Sequence, residues 1–178
     1  VNAQSAVEGV TAGEAAFDFE ATFRGQYGRV ARVIQGVVHD QARAEELAVE
    51  VFLKLWRTGR AQGEQVDGWL YRTAVRIALD ELRRRARRER YERMLGWFKA
   101  APTPEELRAA NEEQDRVRKV LGAIETQRAE MLLLRSQGFS YEQVARALGL
   151  NPASVGTLLN RAQEAFRKEY GKRYGKQS

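Results

Sequence analysis

The stretch FSYEQVARALGLNPASVGTLLNRAQEAF, from Phe139 to Phe166, constrains the fold more than any other part of the chain. Ser140 with Gln143 three residues later is a capping-box start, in which each residue satisfies the other's orphan backbone N–H. Gly149 suits the left-handed backbone that closes a helix. Asn151 then caps a second helix, and Pro152 stands at its first position, where a missing N–H costs nothing. Ala145, Gly149 and Val155 put a small residue, a turn glycine and an apolar contact where two helices cross closely. These signals predict a helix–turn–helix. In its second helix Val155, Leu158, Leu159, Ala162 and Phe166 form the apolar stripe. Ala153, Thr157, Asn160 and Glu164 are left facing outward, flanked by Ser154 and Arg161. Short polar side chains on an outward face suit a DNA major groove, where Asn reads adenine and Arg meets guanine or phosphate. Arg167, Lys168, Lys172 and Arg173 follow and suit backbone phosphates, contacts that position without specifying.

No strand-like alternation is sustained anywhere in the 178 residues, and the expected fold class is all-α. Residues 17–38 place Phe19, Phe23, Tyr27, Val30, Ile34 and Val37 on one face. Further helices are expected over 41–57, 67–95, 114–123, 126–136, 140–148 and 152–170. Gly96, Pro102 and Pro104 interrupt the pattern, and acidic residues follow, so 96–113 reads as a linker between two small helical domains, 17–95 and 114–178. Net charge divides in the same way: +4 over 17–95, −2 over 96–113 and +6 over 114–178. Two basic modules separated by an acidic stretch suit a polyanionic partner. Residues 1–16 lack the basic start and apolar block of a signal peptide. No apolar run is long enough to span a bilayer. There is no cysteine, which excludes disulfides and thiolate metal sites.

The segment WLYRTAVRIALDELRRRARRERYER, residues 69–93, carries the densest charge. At about 100° per residue, Arg76, Arg83, Arg87 and Arg90 fall within roughly 60° of Arg72. Trp69, Leu70, Ala74, Ile77, Ala78 and Leu82 supply much of the apolar side. A line of guanidinium groups follows a nucleic-acid backbone. Trp69 and Tyr71 stand beside that line, where an exposed ring stacks on an unpaired base. The preceding helix, AEELAVEVFLKLW over 44–56, is apolar on most sides. Leu47, Val51 and Leu55 make one stripe, and Val49, Phe52, Leu53 and Trp56 make another. A second stripe rimmed by Glu45, Glu46 and Glu50 reads as a protein interface.

The order DQARAEELAVEVFLKLW, short loop, WLYRTAVRIALDELRRRARR, linker and terminal helix–turn–helix resembles the sigma-70 family, in its small extracytoplasmic-function (ECF) group, which keeps only domains two and four. The resemblance covers about residues 17–170. It implies a bacterial, cytoplasmic transcription initiation factor that binds core RNA polymerase, directs it to promoters and helps to melt DNA. It implies docking of the 44–56 helix on the β′ clamp helices, with Glu45, Glu46, Glu50, Phe52 and Leu53 as contacts. It implies that the 58–67 loop captures a flipped base of the −10 strand. Trp69, Tyr71, Arg72, Thr73, Arg76, Arg83 and Arg87 would meet −10 DNA, as duplex and melted strand. Ser154, Thr157, Asn160, Arg161, Glu164 and Lys168 would meet the −35 duplex, with the β flap nearby. An anti-sigma factor is a further partner the family implies.

Departures from the family pattern bear on specificity. The loop lacks an aromatic-glycine core, Arg76 stands where asparagine is frequent, and Gly156 and Leu158 replace basic residues of the recognition helix. Promoter letters therefore do not transfer. The alternative reading, a stand-alone helix–turn–helix regulator, leaves the 44–56 surface without a use. An enzyme is disfavoured: no glycine-rich phosphate loop or metal-ligand spacing occurs, and the single histidine, His39, reads as a helix-end residue. No catalytic residue, metal or cofactor is expected.

Overall fold

The structure, a computed structural model, describes residues 17–59, 65–95 and 105–175, with side chains described outside 105–111. The 60–64 part of the loop, residues 96–104 of the expected linker and both termini lie outside the described residues. Seven helices run in order among the described residues: α1 Phe19–Val38, α2 Gln41–Arg57, α3 Val66–Met94, α4 Glu105–Ala123, α5 Thr126–Ser136, α6 Tyr141–Leu148 and α7 Pro152–Tyr174. The all-α class read from the sequence is the class observed. None of these helices is long and apolar enough to cross a membrane.

Helix ends follow local chemistry. Asp18 caps α1 by accepting from the Ala21 N–H at 2.9 Å, and Asp40 caps α2 by accepting from Arg43 at 3.0 Å. His39, between those helices, is the left-handed C-cap of α1 with φ 55°. It is the helix-end residue the sequence suggests; burial, then the charge of Arg118, lowers its pKa. The expected capping box of α6 is complete: Ser140 Oγ accepts from Gln143 N at 3.2 Å, and Gln143 Oε1 accepts from Ser140 N at 2.8 Å. Gly149 closes α6 at φ 66°, and Asn151 Oδ1 accepts from Ala153 N at 3.0 Å to open α7.

One expectation is corrected here. α4 begins at Glu105, not near 114, so the second half of the expected linker is helical. Beyond Pro104 the run EELRAANEEQ consists mostly of strong helix formers. Its acidic residues suit the first turns of a helix, where the backbone dipole favours negative charge.

α1, α2 and α3 pack on one another around Val30, Ile34, Leu47, Val51, Leu55, Leu70, Ala74 and Ala78, all buried. α5, α6 and α7 pack around Leu134, Val144, Val155 and Ala162. α4 joins this second unit along α7, where Tyr170 donates its hydroxyl to Glu113 at 2.9 Å and Arg116 lies 5.5 Å from the centre of the Tyr174 ring. The two units are not apart. The long helix α3 is also the surface on which α4, α5 and α6 rest, and the apolar core is continuous through it.

Candidate nucleic-acid interface

On α2 the two apolar stripes have different fates. Phe52 is only 2% exposed. Its ring meets Phe23 at 4.9 Å between centroids, Tyr27 at 6.2 Å and Phe19 edge-on at 6.3 Å. The expectation of Phe52 as an interface side chain is therefore corrected: α1 presents three aromatics to that side of α2 and takes the ring into the core. Val49, Leu53 and Trp56 remain outside, at 44%, 49% and 65% exposure. Their spacing of four and three residues makes one continuous apolar strip. Glu45, Glu46 and Glu50 are exposed around it. Glu50 pairs with Lys54 at 3.1 Å, Glu46 with Arg43 at 2.7 Å, and Glu45 accepts from Gln41 at 3.1 Å.

On α3 the expected arginine line is split by its neighbours. Arg72 is half-buried, and its Nε–H is buried without a partner among the described residues. Arg76 Nε donates to Glu130 Oε1 of α5 at 2.5 Å; the Glu130 side chain is 1% exposed. Arg83 donates from Nε to the Gly122 carbonyl at 3.1 Å and from Nη2 to Thr126 Oγ1 at 3.0 Å. Arg87 is exposed, Thr73 half-buried, and Trp69 half-buried against the core. Tyr71, expected to be accessible, is 4% exposed. Its ring stands edge-on to Phe139 at 4.7 Å, and its hydroxyl donates to Gln26 Oε1 at 2.6 Å. Burial raises its pKa. The physical reason is the arrival of the segment between α5 and α6, which covers a face that the helix period leaves open.

The acidic residues of α3 serve the bundle. Glu81 accepts from Arg43 of α2 at 2.9 Å, and this hydrogen bond holds its carboxyl below the ordinary range. Asp80 lies 3.7 Å from Arg83. Among the described residues no group of acidic or histidine side chains is arranged to hold a metal ion.

Two features escaped the sequence reading. One is Glu130, whose partner lies 54 residues earlier in the chain, beyond any local signal. The other is a cleft of about 670 Å³ between the second half of α3, α4 and the end of α7. Arg83, Arg85, Arg87, Arg90 and Arg93 enter it from α3, and Arg118, Lys119 and Arg173 from the other side; Glu89 and Asp115 are the acidic groups in its lining. A phosphate backbone is the natural ligand of such a field.

On α7, Ser154, Thr157, Asn160, Arg161, Glu164 and Lys168 are all exposed, while Val155, Leu159 and Ala162 are buried and Leu158 and Phe166 half-buried. The helix thus lies with the outward face that its period predicts. Arg161, Glu164 and Lys168 form one surface with Arg128 of α5.

Residues 23–88 match the family model Sigma-70 region 2, and residues 114–165 match Sigma-70, region 4. The RNA polymerase sigma-H factor of Pseudomonas aeruginosa is 30% identical over 79% of this chain and 79% of its own length. The ECF RNA polymerase sigma factor SigE of Mycolicibacterium smegmatis is 28% identical over 78% of this chain and 55% of its own length. The chain belongs to the ECF group of the sigma-70 family. It spans about half the length of the mycobacterial relative. The sigma factor RpoE of Bartonella quintana, solved in complex with the anti-sigma factor NepR, shares the fold at a TM-score of 0.50 and 19% identity, over 85% of this chain and 96% of that one. Within the sigma-70 region 2 match lie the α2 strip and the arginines of α3 from Arg72 to Arg87. Within the region 4 match lie α5, α6 and the α7 face from Ser154 to Glu164; Lys168 falls just beyond it.

Proposed function

We propose that this chain is the promoter-recognition subunit of a bacterial RNA polymerase, with residues 17–95 as polymerase-docking and −10 domain, 96–113 as a linker whose second half is the start of α4, and 114–178 as −35 domain. The observation that carries the reading is the α2 strip of Val49, Leu53 and Trp56, exposed and rimmed by carboxylates on a chain whose α3, α4 and α7 line a cationic cleft. A large apolar patch with a polar rim marks a protein partner. In this reading the strip docks on the β′ clamp helices, and the β flap holds the second domain near α7. Of the two apolar contacts first expected there, Leu53 keeps its place and the buried Phe52 does not, and Glu45, Glu46 and Glu50 form the rim.

The DNA roles divide by chemistry. Arg72, Arg76, Arg83 and Arg87 supply charge to −10 DNA, and Trp69, Thr73 and Tyr71 lie along the same helix. Thr157, Asn160, Arg161 and Glu164 carry the polar groups that read base edges of the −35 duplex, while Ser154 and Lys168 set register and phosphate contact. Each contact can be weak, because polymerase presents both domains to one promoter at high effective concentration. The chain performs no chemistry itself and acts in the cytoplasm; an anti-sigma factor is its expected regulator. Transcription by core polymerase on a genomic library, with and without the chain, tests the reading. New start sites that depend on the chain are expected. Tight binding to a specific duplex without polymerase, and no new transcript with it, would favour a stand-alone regulator instead.

A further inference from the structure

We infer that the cleft between α3, α4 and the end of α7 is a binding site for a linear oligophosphate, a short chain of phosphoryl groups that carries no base. The inference goes beyond the promoter role and does not depend on it.

Arg83, Ala86, Arg87, Arg90 and Arg93 recur at helical spacing and share one face of α3. From Arg83 to Arg93 that face runs about 15 Å, at 1.5 Å per residue. Lys119 and Arg118 of α4 and Arg173 of α7 line the other side. The space of about 670 Å³ between the walls stays open because the residues among the cations are small: Ala86 on α3, and Gly122 and Ala123 on α4. Several of the cations are already engaged. Arg83 donates to the Gly122 carbonyl and to Thr126, Arg118 pairs with Asp115, and Arg173 pairs with Glu169. Arg87, Arg90, Arg93 and Lys119 form no ion pair among the described residues. Arg93 donates to the Glu89 backbone carbonyl at 3.3 Å, and the Glu89 carboxylate is the one acidic group left to oppose the four.

Unpaired like charges around one cavity repel one another, and the walls focus their potential inward. A polyanion relieves that repulsion, and guanidinium forks match phosphoryl oxygens. Shape and lining then narrow the class of anion. A face about 15 Å long suits an extended ligand better than a single phosphate. B-DNA, whose major groove alone is about 12 Å wide, can meet the exposed Arg87 from outside but does not enter a space of this size. The lining holds no aromatic ring on which a base would stack, and Leu82 is its one large apolar side chain. A nucleotide or a single strand would leave its base without a partner there. A bare phosphate chain has no such group to satisfy.

The test is calorimetric titration of inorganic tripolyphosphate into the full-length chain at about 0.1 M salt, where charges more than about 10 Å away are largely screened. Saturable binding of one anion per chain is expected. It should be at least roughly tenfold tighter than that of orthophosphate, since several charge-assisted bonds replace one, and no weaker than that of ATP. Arg90→Ala and Lys119→Ala, one from each wall, should each weaken it roughly tenfold, the worth of one charge-assisted hydrogen bond. Ala86→Trp fills the cleft without changing its charge and should weaken binding to a similar degree. Arg24→Ala removes an exposed cation of α1 outside the cleft and should change affinity by less than about twofold. Circular dichroism checks that the variants keep their helices. Absence of saturable binding overturns the inference, as does equal affinity for orthophosphate and tripolyphosphate. So does a loss confined to one wall, full binding by Ala86→Trp, or a loss in Arg24→Ala as large as in Arg90→Ala. Tighter binding of ATP than of tripolyphosphate would overturn the base-free class of ligand.

Discussion

Phe52 and Leu53 are neighbours on α2, yet the first is buried and the second half exposed, and one experiment separates their roles. Phe52→Ala removes a ring buried to 2% exposure and enclosed by Phe19, Phe23 and Tyr27. An aromatic side chain buries about 150 Å² or more, worth ~4 kcal/mol at about 25 cal/mol per Å². The cavity left behind adds to this, and residual burial in the unfolded chain subtracts, so about 3–5 kcal/mol is expected. For a chain of this size each kcal/mol moves the melting temperature by about 2–4 °C, giving a fall on the order of 10 °C. Leu53→Ala trims a side chain already 49% exposed. Its stability cost should stay below about 1 kcal/mol. If the strip docks on polymerase, however, affinity for core enzyme should fall by about 1–2 kcal/mol, the usual cost of truncating a contact that contributes to binding. Thermal melts and a core-polymerase binding titration on both variants provide the assay. An unchanged melting temperature in Phe52→Ala, with a larger loss of polymerase binding than in Leu53→Ala, would refute this placement of the two side chains.

Other perturbations follow from single contacts. Glu81→Gln should lower stability at pH 7 by about 1–2 kcal/mol through loss of the Arg43 charge-assisted bond. Because Arg43 holds the Glu81 pKa below its ordinary 4.5, the contribution of that bond is complete above 4.5 and is lost as pH falls through the folded value. The gap between variant and parent, read from melts across acid pH, should therefore close on acidification; a constant gap would refute the account. Gly149→Ala should cost roughly 1–2 kcal/mol, a pure backbone penalty at φ 66°, since nothing lies within 4 Å of the added Cβ. Gly149→Asn should cost less. Arg87→Ala, which removes an exposed cation from the α3 cleft, should reduce the salt slope of DNA binding by about one. A slope that does not change would take that residue off the phosphate path.

Much of the candidate site was legible because its signals are local. The outward face of α7, from Ser154 to Lys168, follows from helix period and one cap, and both depend on residues a few positions apart. The α2 strip was legible as a surplus of apolar residues but not as a choice among them. Both stripes have helical spacing, so periodicity alone does not say which one α1 will cover. Tyr71 was misjudged for a related reason. Its side of α3 carries charge and polar tips, as an exposed face does, and its cover comes from Phe139, far along the chain. Arg76 stays half exposed, and its ion pair with Glu130 was equally beyond any local pattern.

The sequence by itself determined where the first helix of the helix–turn–helix starts and stops and where the second begins, that every described element is helical, and which chemistry each helix carries. Those outcomes are settled by hydrogen-bond caps, backbone preferences and a period of 3.6 residues, all acting within a turn or two. Only the tertiary structure decided which apolar stripe is core, which arginines are tied down, and that the two units close on each other. Those depend on pairings across tens of residues, where the energy comes from burial and ion pairing between surfaces that no local pattern relates.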